Sequence, residues 1–458
     1  MKLMARRAQL HHHQCHQHLS LKALHLRKYY KWIPWLALFI YLFLTTTPTS
    51  YSFLFHPLDL KPLLPAKTNP PALIQSPQPS SAALPKIYVY ELPSRYNKDW
   101  LSNSRCGSHL FASEVAIHEA LLGYPGRAVD PNEADFFFVP VYVSCNFSTP
   151  NGFPSLHHAR PLLSSAVDFV SSHLPFWNRS HGRDHVFVAS HDYGACFHAM
   201  EDVAIADGIP VFMKRSIILQ TFGVRPPHPC QQAEHVLIPP YVPPDIEDEW
   251  PAPEKARRDI FVFFRGKMEV HPKNVSGRFY SKRVRTEIWR RYSGNPRFRL
   301  QRKRSGDYRA EMARSVFCLC PLGWAPWSPR LVEAVALGCV PVIVADGIRL
   351  PFPESLRWPE ISLTVAEADV GRLEATLDHV TATNLSAIQK NLWDPARRRA
   401  LLFRRRMAEG DATWHVLTKL QGMRLRRSSG DGEAVRTDTW RYPVDRRSYR
   451  ERPEAVVR

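Results

Sequence analysis

Residues 316–346, VFCLCPLGWAPWSPRLVEAVALGCVPVIVAD, constrain the fold more than any other segment of this chain. Residues 316–320 and 339–345 are short apolar runs of the kind that form strands buried on both faces. The segment between them has the ends of a helix, because Ser328 is a favourable N-cap and Gly338 can take the left-handed turn that ends a helix. The pattern therefore predicts a strand, a loop, a helix and a second strand, which together form a βαβ unit.

The helix of this unit carries an arginine and a glutamate on one face. Arg330 lies in its first turn and Glu333 follows three residues later. The loop before such a helix opens at the carboxyl edge of a parallel sheet, where free helix amides attract phosphate. The arginine suits a diphosphate, and the carboxylate can accept from ribose hydroxyls. The spacing thus indicates a nucleotide site, and the alternative is an intrahelical salt bridge on a solvated face.

The chain has 458 residues and a net charge of +19. This length exceeds one ordinary hydrophobic core and predicts two domains with appendages. The basic residues form scattered short clusters, such as residues 397–399 and 404–406, instead of one stripe. Scattered charge indicates solvated faces, and we expect no nucleic-acid partner.

The amino-terminal region predicts a membrane anchor. Residues 32–44 form a continuous apolar run, and the following residues to position 55 complete a short span. Arg27, Lys28 and Lys31 flank it and would hold the amino end in the cytosol. No small-residue cleavage site follows at the expected distance, which favours an uncleaved signal anchor over a removed signal peptide. Everything after the anchor would be lumenal.

Further observations agree with a chain that is lumenal beyond its anchor. The stretch at residues 56–85 carries eight prolines and is typical of an extended stem. The histidine-rich stretch at residues 11–18 indicates a solvated cytosolic tail, because nothing nearby completes a metal site. Sequons for N-glycosylation occur at Asn146, Asn178, Asn274 and Asn384.

Seven of the eight cysteines lie beyond the anchor, and they divide into two groups. Cys106, Cys145, Cys196 and Cys230 flank predicted turns and are candidates for disulfides. Cys318, Cys320 and Cys339 lie in predicted core strands, where we expect buried thiols that act as small apolar residues.

Strand and helix patterns alternate from residue 86 onward, which predicts parallel sheets with helices on both faces. A proline-rich acidic segment near residue 245 indicates an interdomain connection. The predicted fold class is α/β, with two Rossmann-like, doubly wound domains in series and a ligand in the cleft between them. The predicted divisions are a cytosolic tail (1–31), a signal anchor (32–55), a stem (56–85), an acceptor-side domain (86–245), a nucleotide-sugar-binding domain (246–421) and a basic disordered tail (422–458).

An ordered series of motifs resembles a known family. KIYVYELP, DIFVFFRG and SVFCLCPLGWAPWSPRLVEAVALGCVPVI are similar to the exostosin-like, family 47 type of inverting glycosyltransferases, over about residues 86–420. Within that family the chain most resembles the plant glucuronoxylan-synthesis group. The resemblance implies a type II, single-pass Golgi membrane enzyme with the GT-B fold and a UDP-sugar held mainly by the second domain.

Site roles follow from the resemblance. It implies that Arg330 binds the diphosphate, that Glu333 binds the ribose, and that Arg265 is a second cation of the donor site. Gly266 and the N-cap Ser328 complete the predicted donor-binding set. No two aspartates are separated by a single residue, so the chain lacks the D-x-D that holds a metal in the other main glycosyltransferase fold. We therefore expect no metal and no obligatory cofactor beyond the UDP-sugar substrate.

Inversion in one displacement requires a base for the acceptor hydroxyl. His191 and Asp192 follow the predicted strand HVFVAS at the carboxyl edge of the first domain, and Glu114 lies in its first helix. Each is a candidate. The alternatives are a hydrogen-bonded structural histidine at 191 and a solvated helix face at 114. Trp324 and Trp327 lie in the loop beside the donor site and are either an acceptor-stacking surface or a cap on the core.

The resemblance implies transfer of a sugar, glucuronate or xylose, from a UDP donor to a cell-wall polysaccharide in glucuronoxylan synthesis, with other glycosyltransferases as further partners in a complex. One alternative is a non-catalytic scaffold subunit of a polysaccharide synthase. Another is transfer to a different wall polymer, as in xyloglucan galactosyl or arabinan arabinosyl transfer.

Overall fold

The computed structural model describes residues 84–268, 280–302 and 306–429, all within one compact unit, Pro79–Arg458. The predicted cytosolic tail, anchor, most of the stem and Asn274 lie outside these residues, as does the end of the basic tail. Within the described ranges no helix has the length and apolar character needed to cross a membrane.

The first sheet has five parallel strands paired in chain order, and Ile87 also bridges in parallel to Arg127. Ile87 hydrogen-bonds to the backbone on either side of Arg127, while its neighbour residues pair with the second strand. After the first strand, the chain therefore places Arg127 along one edge of that strand and then places the second strand along its other edge. This reversal makes the sheet doubly wound. The strands are β1 (Ile87–Val89), β2 (Phe136–Phe138), β3 (His185–Ala189), β4 (Ile217–Gln220) and β5 (His235–Leu237).

Two helices cover opposite faces of this sheet. Ile117 of the first helix packs in the same core as Phe138, whereas Leu163 of the second packs in the core that contains Phe137. Adjacent strand residues point to opposite faces, so β2 is covered on both sides and its residues are all buried. The helices are α1 (Ser113–Leu122), α2 (Ala159–His173), α3 (Phe176–Ser180) and α4 (Glu201–Asp207).

The second sheet is also parallel, with the order β10-β9-β8-β6-β7. Its winding reverses between β6 and β8, and the predicted boundary at residue 245 falls between the two sheets. Its strands are β6 (Ile260–Arg265), β7 (Phe298–Gln301), β8 (Ser315–Pro321), β9 (Val340–Val344) and β10 (Leu363–Thr364). Its helices are α5 (Val284–Tyr292), α6 (Tyr308–Ala313), α7 (Pro329–Ala336), α8 (Pro353–Leu356), α9 (Leu373–Thr383), α10 (Leu385–Leu392), α11 (Pro395–Arg399) and α12 (Ala412–Ser428).

The predicted βαβ unit is present as β8, α7 and β9. The Ser328 hydroxyl accepts from the Arg330 backbone amide, and Pro329 occupies the first turn. Gly338 adopts a φ of 68° just after the helix, where a Cβ atom would lie 2.3 Å from Pro253 Cβ. The left-handed turn at Gly338 ends the helix. A glycine is required there because a side chain fits neither this backbone conformation nor the space around it.

Two predictions about local structure were wrong. Cys318 and Cys339 form a disulfide, because neighbouring parallel strands bring their Cα atoms to 5.8 Å, and only Cys320 is the buried thiol predicted. Helix α12 continues to Ser428, so the tail does not begin at residue 422. Strand β2 ends at Phe138 although the apolar run continues to Val143, since Pro140 has no amide to donate to a ladder. The other disulfides, Cys106–Cys145 and Cys196–Cys230, join the predicted cysteines.

Candidate active site

A cavity of about 1420 Å³ opens between the two sheets, at the carboxyl ends of the strands. It is lined on one side by the segments that precede α1 and follow β2 and β3, and on the other by those that follow β6 and β8 and by the first turn of α7. In a doubly wound sheet, ligands bind where the winding reverses. The cavity lies at such a point, because residues at or just beyond the ends of β6 and β8, where the winding of the second sheet reverses, line it.

Arg330 is anchored at that reversal. Its side chain is buried, its Nη2 donates to the backbone oxygen of Arg265 at 2.8 Å, and its Nη1 donates to Ser328 Oγ at 3.2 Å. The guanidinium carbon lies 4.7 Å from the centre of the Phe264 ring. Among the described residues Arg330 Nε has no hydrogen-bond partner. These contacts fix a cation at the start of α7, where the helix dipole also favours an anion.

Glu333 lies one turn further along α7 and also lines the cavity. The Tyr308 hydroxyl donates to its Oε2 at 2.8 Å, and within the described ranges no hydrogen bond engages the second oxygen. Burial raises the pKa of Glu333, and the Tyr308 hydrogen bond and the Arg330 charge offset part of that rise. Arg330 and Glu333 therefore face one cavity and are not an ion pair on a solvated face.

Arg265 ends β6 and is buried at the edge of the cavity. Its guanidinium donates to Glu311, which also accepts from Arg299 Nε at 3.0 Å. The Arg265 charge is therefore balanced by Glu311, and its backbone oxygen holds Arg330. Gly266 leaves space for that arrangement, because a Cβ atom there would lie 2.9 Å from Arg330 Nη2.

The loop between β8 and α7 is held by an arginine that the sequence patterns did not single out. Arg285 Nε donates to the Leu322 oxygen at 2.8 Å, and its Nη2 donates to the Pro321 oxygen at 2.9 Å. Its only sequence signal is its place in a basic helix, because its partners lie more than thirty residues away. Burial lowers its pKa to about 10, so it is charged at neutral pH.

The two predicted acceptor tryptophans differ. Trp324 is 41% exposed and faces the cavity, where its ring meets Tyr280 edge-on at 5.1 Å. Trp327 is buried, packs against Phe111, and donates from Nε1 to the Asp192 backbone oxygen at 3.3 Å. Trp324 is thus available to a ligand, and Trp327 joins the two walls of the cavity.

His191 and Asp192 follow β3 and line the opposite wall from Arg330. Burial, followed by the charges of His109 and His198, lowers the pKa of His191 to about 3, so this ring is neutral. Burial raises the pKa of Asp192 to about 7. A general base works best when its pKa lies near the working pH. The carboxylate of Asp192 therefore meets the requirement for a base better than the imidazole does.

Comparison with known proteins agrees with this architecture. The family model for the Exostosin GT47 domain matches residues 82–380, which is more than half of the chain. The chain belongs to this family. It is accordingly a glycosyltransferase, and the two doubly wound domains are those of the GT-B fold.

Relatives in this family are close. The "Probable glucuronosyltransferase Os03g0107900" of Oryza sativa subsp. japonica is 68% identical over 77% of this chain and 82% of the relative. A probable glucuronoxylan glucuronosyltransferase of Arabidopsis thaliana is 62% identical over 86% of each chain. Among solved structures, AviGT4, a glycosyltransferase involved in avilamycin A biosynthesis, is 14% identical with a TM-score of 0.29, over 64% of this chain and 85% of that one.

Glu114 does not line the cavity of this glycosyltransferase. It is buried in α1, where its carboxylate accepts from the backbone amides of Ser144 at 2.8 Å and Val143 at 3.1 Å. Burial raises its pKa to about 8, and the two amide bonds limit that rise. Glu114 therefore neither lines the cavity nor lies on a solvated face. Its carboxyl group instead closes the turn after β2.

Replacing Glu114 with alanine is expected to destabilise the fold without removing catalysis. The substitution leaves the buried amides of Val143 and Ser144 without an acceptor, which costs about 1–3 kcal/mol. Thermal unfolding of the full chain should show a lower midpoint, while the transfer rate per folded molecule stays within a few-fold of wild type. A folded variant that has lost transfer would return Glu114 to the candidate catalytic residues.

The predicted glycosylation sites differ in accessibility. Asn178 and Asn384 are exposed, and Asn146 is half-buried with its Nδ2 3.3 Å from His158 Nδ1. In the part of the chain that the structure describes, no three His, Cys, Asp or Glu side chains are grouped as a metal site.

Proposed function

We propose that this enzyme transfers glucuronate from a UDP donor to a hydroxyl of a xylan-type plant cell-wall polysaccharide, with inversion at the anomeric carbon. The observation that carries the proposal is the position of Arg330 and Glu333 at the reversal of the second sheet, facing Asp192 across one cavity. The names of the rice and Arabidopsis relatives support the sugar and the polymer.

The residues can carry each part of the displacement. The acceptor hydroxyl gives its proton to the Asp192 carboxylate, and its oxygen attacks the anomeric carbon of the donor. The bond between that carbon and the phosphate oxygen breaks, and UDP leaves with the electron pair. Arg330 and the free amides of α7 stabilise the charge that develops on the diphosphate. Glu333 would hold the ribose through its available oxygen.

We propose further that the catalytic part works in the Golgi lumen, attached to the membrane by residues 32–55. Three disulfides join described cysteines, and disulfides persist in oxidising compartments. The exposed asparagines at 178 and 384 suit glycosylation in the same pathway. Protease added to sealed Golgi vesicles should spare residues 84–429, and digestion of them in intact vesicles would reverse the proposed topology.

The direct test of activity is a panel of UDP-sugars offered to the purified full chain with xylan-type acceptors and with other wall glycans. We expect UDP release and a glycosylated product with UDP-glucuronate and a xylan-type acceptor. The anomeric configuration of the product, read by nuclear magnetic resonance, should be opposite to that of the donor. No turnover with any donor, together with intact UDP binding, would favour the scaffold function.

A further inference from the structure

Charge is divided between the two walls of the cavity. Among the described residues, the lysines and arginines that line the cavity all come from the second half of the chain, which contains the second sheet: Arg265, Lys267, Arg285, Arg302 and Arg330. The first-half wall, formed by lining residues within 110–111, 149–157 and 191–200, contributes no lysine or arginine in the described structure, and its only carboxylate is Asp192. The second-half wall therefore suits an anionic ligand, and the first-half wall suits an uncharged ligand.

The cavity is also larger than one ligand needs. Its volume of about 1420 Å³ exceeds the roughly 300–1,000 Å³ of typical small-molecule pockets. Three large apolar side chains that line it are strongly exposed, namely Phe153 at 41%, Met200 at 46% and Trp324 at 41%. Exposed apolar surface gathered in a concave site indicates a ligand that covers it.

The loop that presents Phe153 is held in place by several contacts. The Phe153 amide donates to Asn151 Oδ1 at 3.0 Å, and the Thr149 hydroxyl donates to the same oxygen at 2.7 Å. The Arg105 guanidinium donates to the Gly152 backbone oxygen, and the His109 ring meets the Phe153 ring edge-on at 5.7 Å. The loop that carries the ring is therefore held in place before any ligand arrives, which lowers the entropic cost of binding.

We propose that Phe153 and Met200 form an acceptor subsite for an uncharged oligosaccharide of several sugar units. The flat apolar face of a pyranose would stack on Phe153, with Trp324 on the facing wall, and the reacting unit would lie next to Asp192. The absence of lysine and arginine from the described first-half wall would discriminate against acidic glycans of the same length. This inference rests on the proposed function and adds the class of acceptor and the residues that select it.

The test compares acceptor kinetics of the full chain with its Phe153→Ala variant, using a neutral xylo-hexasaccharide and a xylo-disaccharide. Loss of the stacking face should raise the KM for the hexasaccharide on the order of tenfold, with a smaller effect on the disaccharide. The KM for the UDP-sugar and the affinity for UDP should not change. Phe153→Trp, which keeps a flat ring, should restore the hexasaccharide KM.

The matched control is Leu122→Ala, which removes a 45% exposed side chain of α1 that does not line the cavity; it should leave all of these constants unchanged. An acidic oligogalacturonate hexasaccharide should be a poorer acceptor than the neutral one. An unchanged hexasaccharide KM in Phe153→Ala, with UDP binding intact, would overturn the acceptor subsite alone. Absence of UDP binding by the wild-type chain would overturn the proposed function itself.

Discussion

Sugar transfer should fall by about two to four orders of magnitude when Asp192 is replaced by asparagine. The asparagine has nearly the same shape but cannot take the proton of the acceptor hydroxyl. UDP binding should persist, because the proposed donor residues lie on the other wall of the cavity. The measurement is kcat/KM for the acceptor at saturating donor, together with UDP affinity by calorimetry.

The pH dependence distinguishes loss of a base from loss of structure. Burial raises the pKa of Asp192 to about 7, so the carboxyl group becomes increasingly protonated, and inactive as a base, as pH falls below that value. Wild-type kcat/KM should therefore rise with pH and level off above about 7, and this step should be absent from Asp192→Asn. His191→Gln is the control and should retain the step. An asparagine variant within a few-fold of wild type would remove Asp192 as the base.

Loss of donor binding is the expected result of Arg330→Ala. The guanidinium is fixed by the Arg265 oxygen and Ser328, so it needs little reorganisation to meet a diphosphate. Removing one member of a buried charged pair costs roughly 2–5 kcal/mol, which corresponds to a loss of UDP affinity of about thirtyfold or more. Calorimetric titration of the full chain with UDP measures this loss.

Two variants control for this experiment. Arg330→Lys keeps the charge but loses the planar fork, and it should bind UDP with intermediate affinity. Arg372→Ala removes a guanidinium that is 77% exposed and pairs with Asp369 away from the cavity, and it should bind UDP normally. Thermal midpoints show whether each variant is folded. Normal donor turnover by Arg330→Ala would contradict the assignment of the donor site.

The residues of the proposed donor side could be singled out from the sequence because their signals are local. The N-cap at Ser328, the left-handed Gly338 and the i, i+3 spacing of Arg330 and Glu333 are all set within one short helix. The βαβ unit therefore follows from propensity and capping, without tertiary information.

The residues that support this site depend on contacts between distant segments. Glu311 pairs with Arg265 across 46 positions, and Arg285 holds oxygens 36 and 37 positions away. Neither pairing leaves a pattern in the sequence. The Cys318–Cys339 disulfide was missed for a similar reason, because a cysteine in an apolar run looks like a core residue until the strand neighbours are known.

Glu114 shows how a local pattern can place a residue wrongly. A glutamate in the first turn of a helix is usually solvated or stabilises the helix N-terminus. Here the backbone amides of Val143 and Ser144, which follow β2, donate to the carboxyl group of Glu114. The carboxyl group is buried because the segment after β2 packs against α1, and helix periodicity does not encode that contact.

Helix α12 connects the two halves of the enzyme. α12 follows the second sheet in the chain, yet its Arg424 and Arg427 pair with Asp135 and Glu234 of the first half. Each partly exposed pair contributes no more than about 1 kcal/mol, so these pairs orient the helix and add little to the attachment of the two halves. That attachment comes from apolar packing, because Val416 and Leu420 of α12 lie in one hydrophobic core with residues of both sheets. The two walls of the cavity are therefore held by a shared core, and a substitution inside α12 would reach both of them.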